Sequence, residues 1–228
     1  MEEDLSRDSD CDPVNGKHDN ELRIVLNPPQ DDRPFAKLLR HRGSTKSYRP
    51  AHIDLETLSR LLGAAIGCAS TDQRPYGSAH ARYGIVVTVI AAAVDGLAPA
   101  ASRYLPVEHA LVQREEGDHR ALLARGSLDA DWLTTCPAML LLSADLAAAN
   151  DSFATQEAGR GERYCWFEAG LIAQNVYLWA AENALGTVFL GGLDSVKIQA
   201  AARLVPPSHT ILGIHPLGHP AEGATSEF

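Results

Sequence analysis

Three side chains able to bind an anion stand close together near the start of the sequence. Arg42, Ser44 and Lys46 occupy alternate positions, and alternate residues of an extended segment point to the same side. A guanidinium, a hydroxyl and an ammonium can therefore converge on one phosphate, through charge-assisted bonds that contribute roughly 1.5 to 3 kcal/mol each. A solvated basic loop is the alternative interpretation, and this pattern alone does not exclude it.

A pair of neighbouring glycines forms the second candidate site. Gly191 and Gly192 follow an apolar run at residues 187–190 and precede a helix for which Asp194 is the expected N-cap. Glycines let a planar ligand approach the main chain, and their free N–H groups can donate hydrogen bonds to it. An ordinary strand-to-helix turn would have the same sequence.

Arg163 and Tyr164 form the third candidate, at the start of an apolar helix. A tyrosine beside a guanidinium can act as an acid or a base, whereas the arginine keeps its proton. The alternative is an Arg–Tyr pair that closes the helix end and packs against it. Glu168, one turn further on, needs a hydrogen-bond partner if it is buried.

The elements that must position these side chains follow from the spacing of apolar residues. A short helix is expected over residues 35–39, and a second helix, capped by Asp54, over residues 55–65. Residues 91–101 are interpreted as an Ala-rich loop. Apolar and β-branched runs predict buried strands at residues 83–90, 138–143, 187–190 and 211–214.

A long helix is expected over residues 164–185, which are apolar on nearly every face. A helix that is apolar all round must be covered all round. This helix is therefore predicted to be either a central pillar of the fold or a seam between two subunits.

The composition is that of one soluble globular domain. The chain has 228 residues, of which 45% are hydrophobic and 21% charged, and this excludes collagen-like, coiled-coil and mucin-like proteins. No apolar run is long enough to cross a bilayer, and the acidic N-terminus is unlike a secretion signal. A cytoplasmic location is expected.

The net charge of −9 is concentrated near the N-terminus, because residues 1–33 contribute −6. Residues 1–32 are interpreted as a flexible acidic tail with one apolar patch at residues 22–26. The absence of a basic stripe argues against nucleic-acid binding.

The histidines and cysteines show no spacing typical of a metal site. His215 and His219 are interpreted as surface or core residues. The scattered cysteines are interpreted as buried reduced thiols: Cys11, Cys68, Cys136 and Cys165.

The order of these motifs resembles the FMN-dependent nitroreductase family, and more closely its SagB-type branch, which dehydrogenates azolines in modified peptides. The resemblance covers about residues 33–220. Four motifs and the chain ending match in register: an Arg-x-Ser-x-Lys-x-aromatic segment, a Ser-Ala segment, an Arg-Tyr/Glu-Ala-Gly/Gln-Asn helix, a Gly-Gly-x-Asp turn and a Pro-x-Gly ending. In chain order these are Arg42 to Tyr48, Ser78 to Gly84, Arg163 to Asn175, Gly191 to Asp194, and Pro216 to Gly218.

This resemblance implies an α+β, three-layer fold in which a mixed, mostly antiparallel sheet is flanked by helices. It also implies a homodimer that holds FMN at the subunit seam, with residues 33–220 as the FMN domain and residues 221–228 as a C-terminal tail. By resemblance, six residues would bind the cofactor: Arg42 and Ser44 at its phosphate and ribityl chain, Lys46 at the pyrimidine end, Gly191 and Gly192 at the N5 and O4 edge, and Ser78 at the partner's flavin.

One departure bears on the chemistry. Relatives that oxidise azolines carry a Lys-Tyr pair as the base, whereas this chain has Arg163 and Tyr164, which leaves Tyr164 as the expected proton acceptor. The resemblance implies hydride transfer from a peptide-derived substrate to flavin N5. Two alternatives stay open: a nitro or quinone reductase that uses NADH or NADPH, and a flavin-poor scaffold subunit of a peptide-modifying complex, suggested by His80 and Gly84 at altered positions.

Overall fold

A computed structural model describes residues 24–26, 31–68, 73–128, 130–201 and 203–223. The described residues from 33 to 223 belong to one structural unit. The predicted acidic tail lies mostly outside the described residues, as do residues 224–228 of the predicted C-terminal tail.

Helices begin where the sequence supplies caps. Asp54 accepts the Thr57 N–H at 2.7 Å, and Asp194 accepts the Lys197 N–H at 3.0 Å, which confirms both predicted caps. Asp145 caps a further helix in the same way. The helices are α1 (Pro34–His41), α2 (Leu55–Ala65), α3 (Arg120–Arg125), α4 (Leu146–Ser152), α5 (Arg160–Glu182) and α6 (Ser195–Ala201). Within the described ranges, none of these is long and apolar enough to cross a membrane.

Six strands form the main sheet in the order β5–β4–β2–β6–β8–β7, and every pairing in it is antiparallel. A separate pair, β1 and β3, is parallel. The strands are β1 (Ile53–Asp54), β2 (Val86–Ala91), β3 (Val94–Asp95), β4 (Ala100–Leu105), β5 (Ala110–Glu116), β6 (Ala138–Ala144), β7 (Gly186–Thr187) and β8 (Thr210–Gly218).

Two sequence interpretations are corrected by these bounds. The predicted loop at residues 91–101 contains the end of β2, all of β3 and the start of β4. The predicted strand at residues 187–190 pairs only through Gly186–Thr187 and through a single bridge from Leu190 to Ile214.

The sheet is covered on both faces, as its sequence requires. Val89 and Leu140 pack in a cluster with α2 and α5, whereas their neighbours Ile90 and Leu141 pack in a second cluster with α3 and α6. Successive strand residues point to opposite faces, so apolar residues at every position need helices on both sides. The result is the predicted three-layer α+β fold.

Helix α5 is central, but one chain does not cover it completely. Its residues Ile172 and Val176 are fully buried against the sheet. On another part of its surface Trp166, Phe167 and Leu171 are 42%, 65% and 47% exposed. The helix is thus a pillar of the core along one face and leaves an apolar strip uncovered along another.

The cysteines within the described ranges are free thiols. Cys136 and Cys165 are buried, as predicted, and Cys68 is half-buried. Cys11 lies outside the described residues.

Candidate active site

The anion-binding segment predicted after α1 is held along the edge of the sheet. The Thr45 N–H donates to the Thr187 carbonyl at 2.9 Å, and the Arg49 N–H donates to the His219 carbonyl at 2.9 Å. A Cβ atom on Gly186 would lie 2.6 Å from the Thr45 side chain, so this approach requires glycine at position 186. The main chain of the segment is therefore fixed beside β7 and the end of β8.

Tyr177 of α5 joins this segment to the residues that lead into the glycine pair. Its hydroxyl lies 3.2 Å from the Ser44 hydroxyl and accepts the Phe189 N–H at 2.8 Å. The Arg42 guanidinium lies over the Tyr177 ring, 5.0 Å from its centroid. Two motifs far apart in sequence thus meet at one tyrosine.

The glycine pair offers an open main-chain surface. Gly191 and Gly192 are exposed, and a Cβ atom on Gly191 would have no heavy atom within 4 Å. Their carbonyl groups accept the N–H groups of Leu193 and Leu128, at 3.0 and 3.2 Å. Neither glycine N–H finds an acceptor within the described part of the chain. These two donors are therefore available to a ligand in the open space.

A buried histidine packs against the residues that lead into the glycine pair. His215 is fully buried, with its ring stacked on Phe189 at 5.0 Å between centroids and Nδ1 3.2 Å from the Thr187 hydroxyl. Burial lowers the pKa of His215 to about 3, so the imidazole is neutral at physiological pH. Of the two interpretations made from the sequence, surface or core, the structure selects core.

A second group of predicted residues lines a cavity of about 280 Å³ at the other end of α5. Ser78, Tyr164 and Glu168 all contribute to its wall. The Ser78 hydroxyl accepts the Tyr83 N–H at 2.8 Å, and the Glu168 carboxyl accepts the Ile85 N–H at 3.3 Å. The partner that Glu168 was predicted to need is therefore present.

The pKa of Glu168 reflects its position in this wall. The side chain is 5% exposed, and its burial raises the carboxyl pKa above the ordinary value of 4.5, although a hydrogen bond with Ser78 acts in the opposite direction. A carboxyl that is harder to ionise and that faces a cavity is a feature of binding and catalytic sites.

Tyr164 contacts a guanidinium, but from a different arginine than expected. Arg160, one turn earlier in α5, donates to Glu157 at 3.0 Å, and its interactions with Glu157 and then Tyr164 raise the pKa of Arg160. Arg163 instead lies 2.9 Å from Glu157 and donates to the Ala158 carbonyl. Glu157 thus bridges the two arginines.

The structure brings the predicted site residues together in two places rather than one. At the first place, Arg42 and Ser44 contact Tyr177, which also binds the main chain of Phe189, two residues before the glycine pair. At the second place, Ser78 and Tyr164 line the 280 Å³ cavity. Tyr177 comes thirteen positions after Tyr164 in α5, and a helix rises 1.5 Å per residue, so the two places lie about 20 Å apart along the helix.

Sequence reasoning missed Tyr177 and Arg160. A tyrosine inside an apolar helix is itself a signal, because a buried tyrosine hydroxyl usually finds a hydrogen-bond partner. The identity of that partner depends on the tertiary structure. Arg160 lies four residues before Tyr164, a spacing that places two side chains on one helix face.

The chain belongs to the nitroreductase family, a family of oxidoreductases. The model of that family matches residues 39–219, from the end of α1 to the residue after β8. A nitroreductase-family protein of Methanocaldococcus jannaschii, MJ1384, is 32% identical over 183 residues, which cover 78% of this chain and 88% of the relative.

Solved structures share the fold. The Escherichia coli microcin synthetase McbBCD complex, solved with truncated pro-MccB17 bound, matches with a TM-score of 0.69 and 19% identity over 90% of this chain and 79% of the matched chain. A Desulfovibrio desulfuricans nitroreductase-family protein in complex with FMN matches with a TM-score of 0.58 and 20% identity, over 87% and 92% of the two chains. These likenesses establish the nitroreductase fold for this chain.

Proposed function

We propose that this chain is an FMN-dependent oxidoreductase that works as a homodimer. One observation carries the proposal: the Tyr177 hydroxyl joins Ser44 of the anion-binding segment to Phe189, two residues before the glycine pair. An anion site and a pair of free main-chain donors on one surface match the two ends of a flavin mononucleotide, a phosphate and a planar hydrogen-bonding ring.

Five of the predicted residues are proposed to hold FMN. Arg42 and Ser44 would hold the phosphate and the ribityl chain, and Lys46 would lie at the pyrimidine end of the ring. The open space in front of Gly191 admits a planar group, and the N–H groups of Gly191 and Gly192 are free to donate to its N5 and O4 edge. When bound, FMN supplies a hydride acceptor, while the protein supplies placement and charge.

The separation along α5 supports a dimer. Tyr164 lies about 20 Å from Tyr177 along one rigid helix, and Ser78 lines the same cavity as Tyr164, so the two groups are too far apart to contact the same ring within one chain. Two chains packed through the exposed strip of Trp166, Phe167 and Leu171 would bring the cavity of one chain to the glycine pair of the other. Family members act as dimers, in agreement with this arrangement.

Tyr164 is the proposed proton acceptor. It lines the cavity, its ring packs edge-on against Phe153 at 4.8 Å, and the Arg160 side chain interacts with it. The packing on Phe153 holds the ring in the cavity wall. Arg163 then acts as a positioning residue, because it holds Glu157, which in turn holds Arg160.

The proposed substrate class is an azoline within a peptide, or a related peptide-derived ring. Removal of a hydride and a proton from adjacent ring atoms converts an azoline into an azole, and Tyr164 would take the proton. Two observations favour this class: the order of the sequence motifs resembles the SagB-type branch, and the fold likeness includes a synthetase complex solved with a truncated peptide precursor.

The base assignment is tested with Tyr164→Phe. This variant should keep the yellow colour of bound flavin, because the phenyl ring retains the packing on Phe153, and should oxidise a peptide azoline at least about 100-fold more slowly. Rates are read from product formation in single turnover. A variant that turns over normally would remove Tyr164 from the chemistry.

The closest alternative is a nitro or quinone reductase that takes electrons from NADH or NADPH, and the nitroreductase relative from Methanocaldococcus jannaschii favours it. Adding NADPH without oxygen separates the two functions. The proposed function predicts slow bleaching of the flavin, and rapid bleaching would favour the reductase. Release of no yellow chromophore on denaturation would instead favour the scaffold subunit.

A further inference from the structure

A second cavity lies on the sheet, and Val86 lines both this cavity and the cavity of about 280 Å³. Its volume is about 480 Å³, and strands β2, β4 and β5 form its floor. Residues 203–207, between α6 and β8, form a wall, and this wall is fixed because Leu204 and Val205 are buried in the core. The cavity has the size of a small-molecule site.

Three arginines line this cavity: Arg103 from β4, Arg114 from β5 and Arg203 from the wall. Arg103 lies across from Thr88 of β2 in the sheet register, and both face the cavity. A β-bulge in the β4–β5 pairing makes Arg114 the extra residue, because Gln113 pairs with Ser102 and Glu115 pairs with Ala101. Bulges commonly redirect side chains in this way, and here the bulge lets both Arg114 and Glu115 line the cavity.

The guanidinium groups are not neutralised by the protein. Within the described ranges, Arg103, Arg114 and Arg203 form no ion pair, and the buried Nε of Arg103 has no hydrogen-bond partner. Glu115 is the only acidic residue in the described lining, so the cavity carries a charge of +2 in a chain whose net charge is −9. A buried donor without a partner is unfavourable unless a ligand satisfies it.

We infer that this cavity binds a small molecule that carries phosphate groups, of about the size of a nucleotide. Guanidinium groups bind phosphate through paired hydrogen bonds, and several arginines together select an anion of more than one charge. Val86 and Val205 add an apolar surface for the uncharged part of the ligand. None of the residues proposed to hold FMN lines this cavity, so the site is distinct from the proposed flavin site.

The inference is tested by calorimetric titration of the full chain with ADP, with pyrophosphate and with citrate, each in the presence and absence of FMN. ADP and pyrophosphate should bind with Kd values below about 1 mM, and citrate should bind at least about tenfold more weakly. The flavin absorbance should not change, and the Kd values should be the same with and without FMN. This independence from FMN separates the inference from the proposed function.

Variants of exposed arginines identify the site. Arg114→Gln and Arg203→Gln should each weaken ADP binding at least about tenfold, whereas Arg125→Gln, at an exposed arginine of α3 outside the cavity, should change it less than about twofold. Thermal unfolding of each variant verifies the fold. The inference is overturned if ADP and pyrophosphate do not bind at about 10 mM, if citrate binds equally well, if ADP displaces FMN, or if the cavity variants bind like Arg125→Gln.

Discussion

The Tyr177 hydroxyl contacts two segments of the proposed flavin site. It accepts the Phe189 N–H and lies within hydrogen-bonding distance of the Ser44 hydroxyl. Without it, the Phe189 N–H would lose its acceptor, and the Ser44 hydroxyl would lose the hydrogen-bond partner that orients it. The cost of leaving such groups without a partner is about 1 to 3 kcal/mol.

Tyr177→Phe should therefore weaken FMN binding about tenfold, as measured by quenching of flavin fluorescence. Tyr104→Phe is the matched control, because it removes a tyrosine hydroxyl that bonds to His109 at 2.8 Å in another part of the fold. Both variants should lose some thermal stability, but only Tyr177→Phe should lose affinity for FMN. Equal affinity in the two variants would show that Tyr177 does not organise the site.

His215 makes the free energy of unfolding depend on pH. Its pKa is lowered from 6.5 to about 3 in the folded state, so its contribution to the free energy of unfolding is present above pH 6.5 and is lost as the pH falls toward 3. Between pH 7.5 and pH 5 the loss is about 2 kcal/mol.

His215→Gln cannot titrate and should lose about 2 kcal/mol less than the natural protein when the pH falls over that range. The measurement is urea unfolding at each pH. His41→Gln, at an exposed histidine, should follow the natural protein. Parallel curves for the natural protein and His215→Gln would show that His215 is not held neutral by burial.

Local sequence predicts some site residues and not others. Arg42, Ser44 and Lys46 could be named because their alternation on an extended segment is a local pattern, and the structure holds Arg42 and Ser44 against one tyrosine. The partners of Tyr177 could not be predicted from local sequence, because Ser44 is more than a hundred residues away and Phe189 lies outside α5. The roles of the site residues stay predictions.

At the scale of elements, the turn after β7 presents its main chain to open space. Gly191 has an ordinary backbone conformation that alanine can adopt, and a Cβ atom there would contact nothing. Gly191→Ala should therefore leave the thermal stability within about 0.5 kcal/mol of the natural value.

The same methyl group would project into the space proposed for the flavin ring. Gly191→Ala should weaken FMN binding by roughly tenfold, since adding a methyl group to a packed interface costs about 1 to 3 kcal/mol. Fluorescence titration gives the affinity. Unchanged affinity would mean that the ring does not lie against Gly191.

Strands differ in how well the sequence reveals them. The apolar runs of β2 and β6 are buried on both faces, and both were predicted. Strands β4 and β5 were missed because β5 is an edge strand with mostly exposed polar residues and β4 begins in an Ala-rich segment, so neither shows the apolar pattern of a core strand. Their register is set by pairing with β2, which is a property of the sheet and not of the local sequence.

At the scale of the whole molecule, the proposed symmetric dimer would explain both the exposed strip on α5 and the division of the site into two places. Phe167 is 65% exposed on this strip, and Val107, in the turn between β4 and β5, is exposed to a similar degree at 66%. Phe167 belongs to the strip that also contains the exposed Trp166 and Leu171, whereas Val107 lies outside that strip.

Phe167→Glu should produce a monomer with a mass near 24.5 kDa by light scattering, whereas Val107→Glu should keep twice that mass. A buried, unpaired carboxylate at the seam would oppose association. The monomer should also lose turnover, because Ser78 and Tyr164 would no longer reach the flavin of the other chain. A natural protein that is itself monomeric would contradict the dimer.

The most direct test of the proposed flavin site is a crystal structure of the protein saturated with FMN. The expected result is one FMN per chain, with the ring contacted at its pyrimidine end by Lys46 and at its N5 edge by the N–H groups of Gly191 and Gly192. A flavin bound elsewhere, or a ring that contacts Lys46 but neither glycine, would contradict the proposed site.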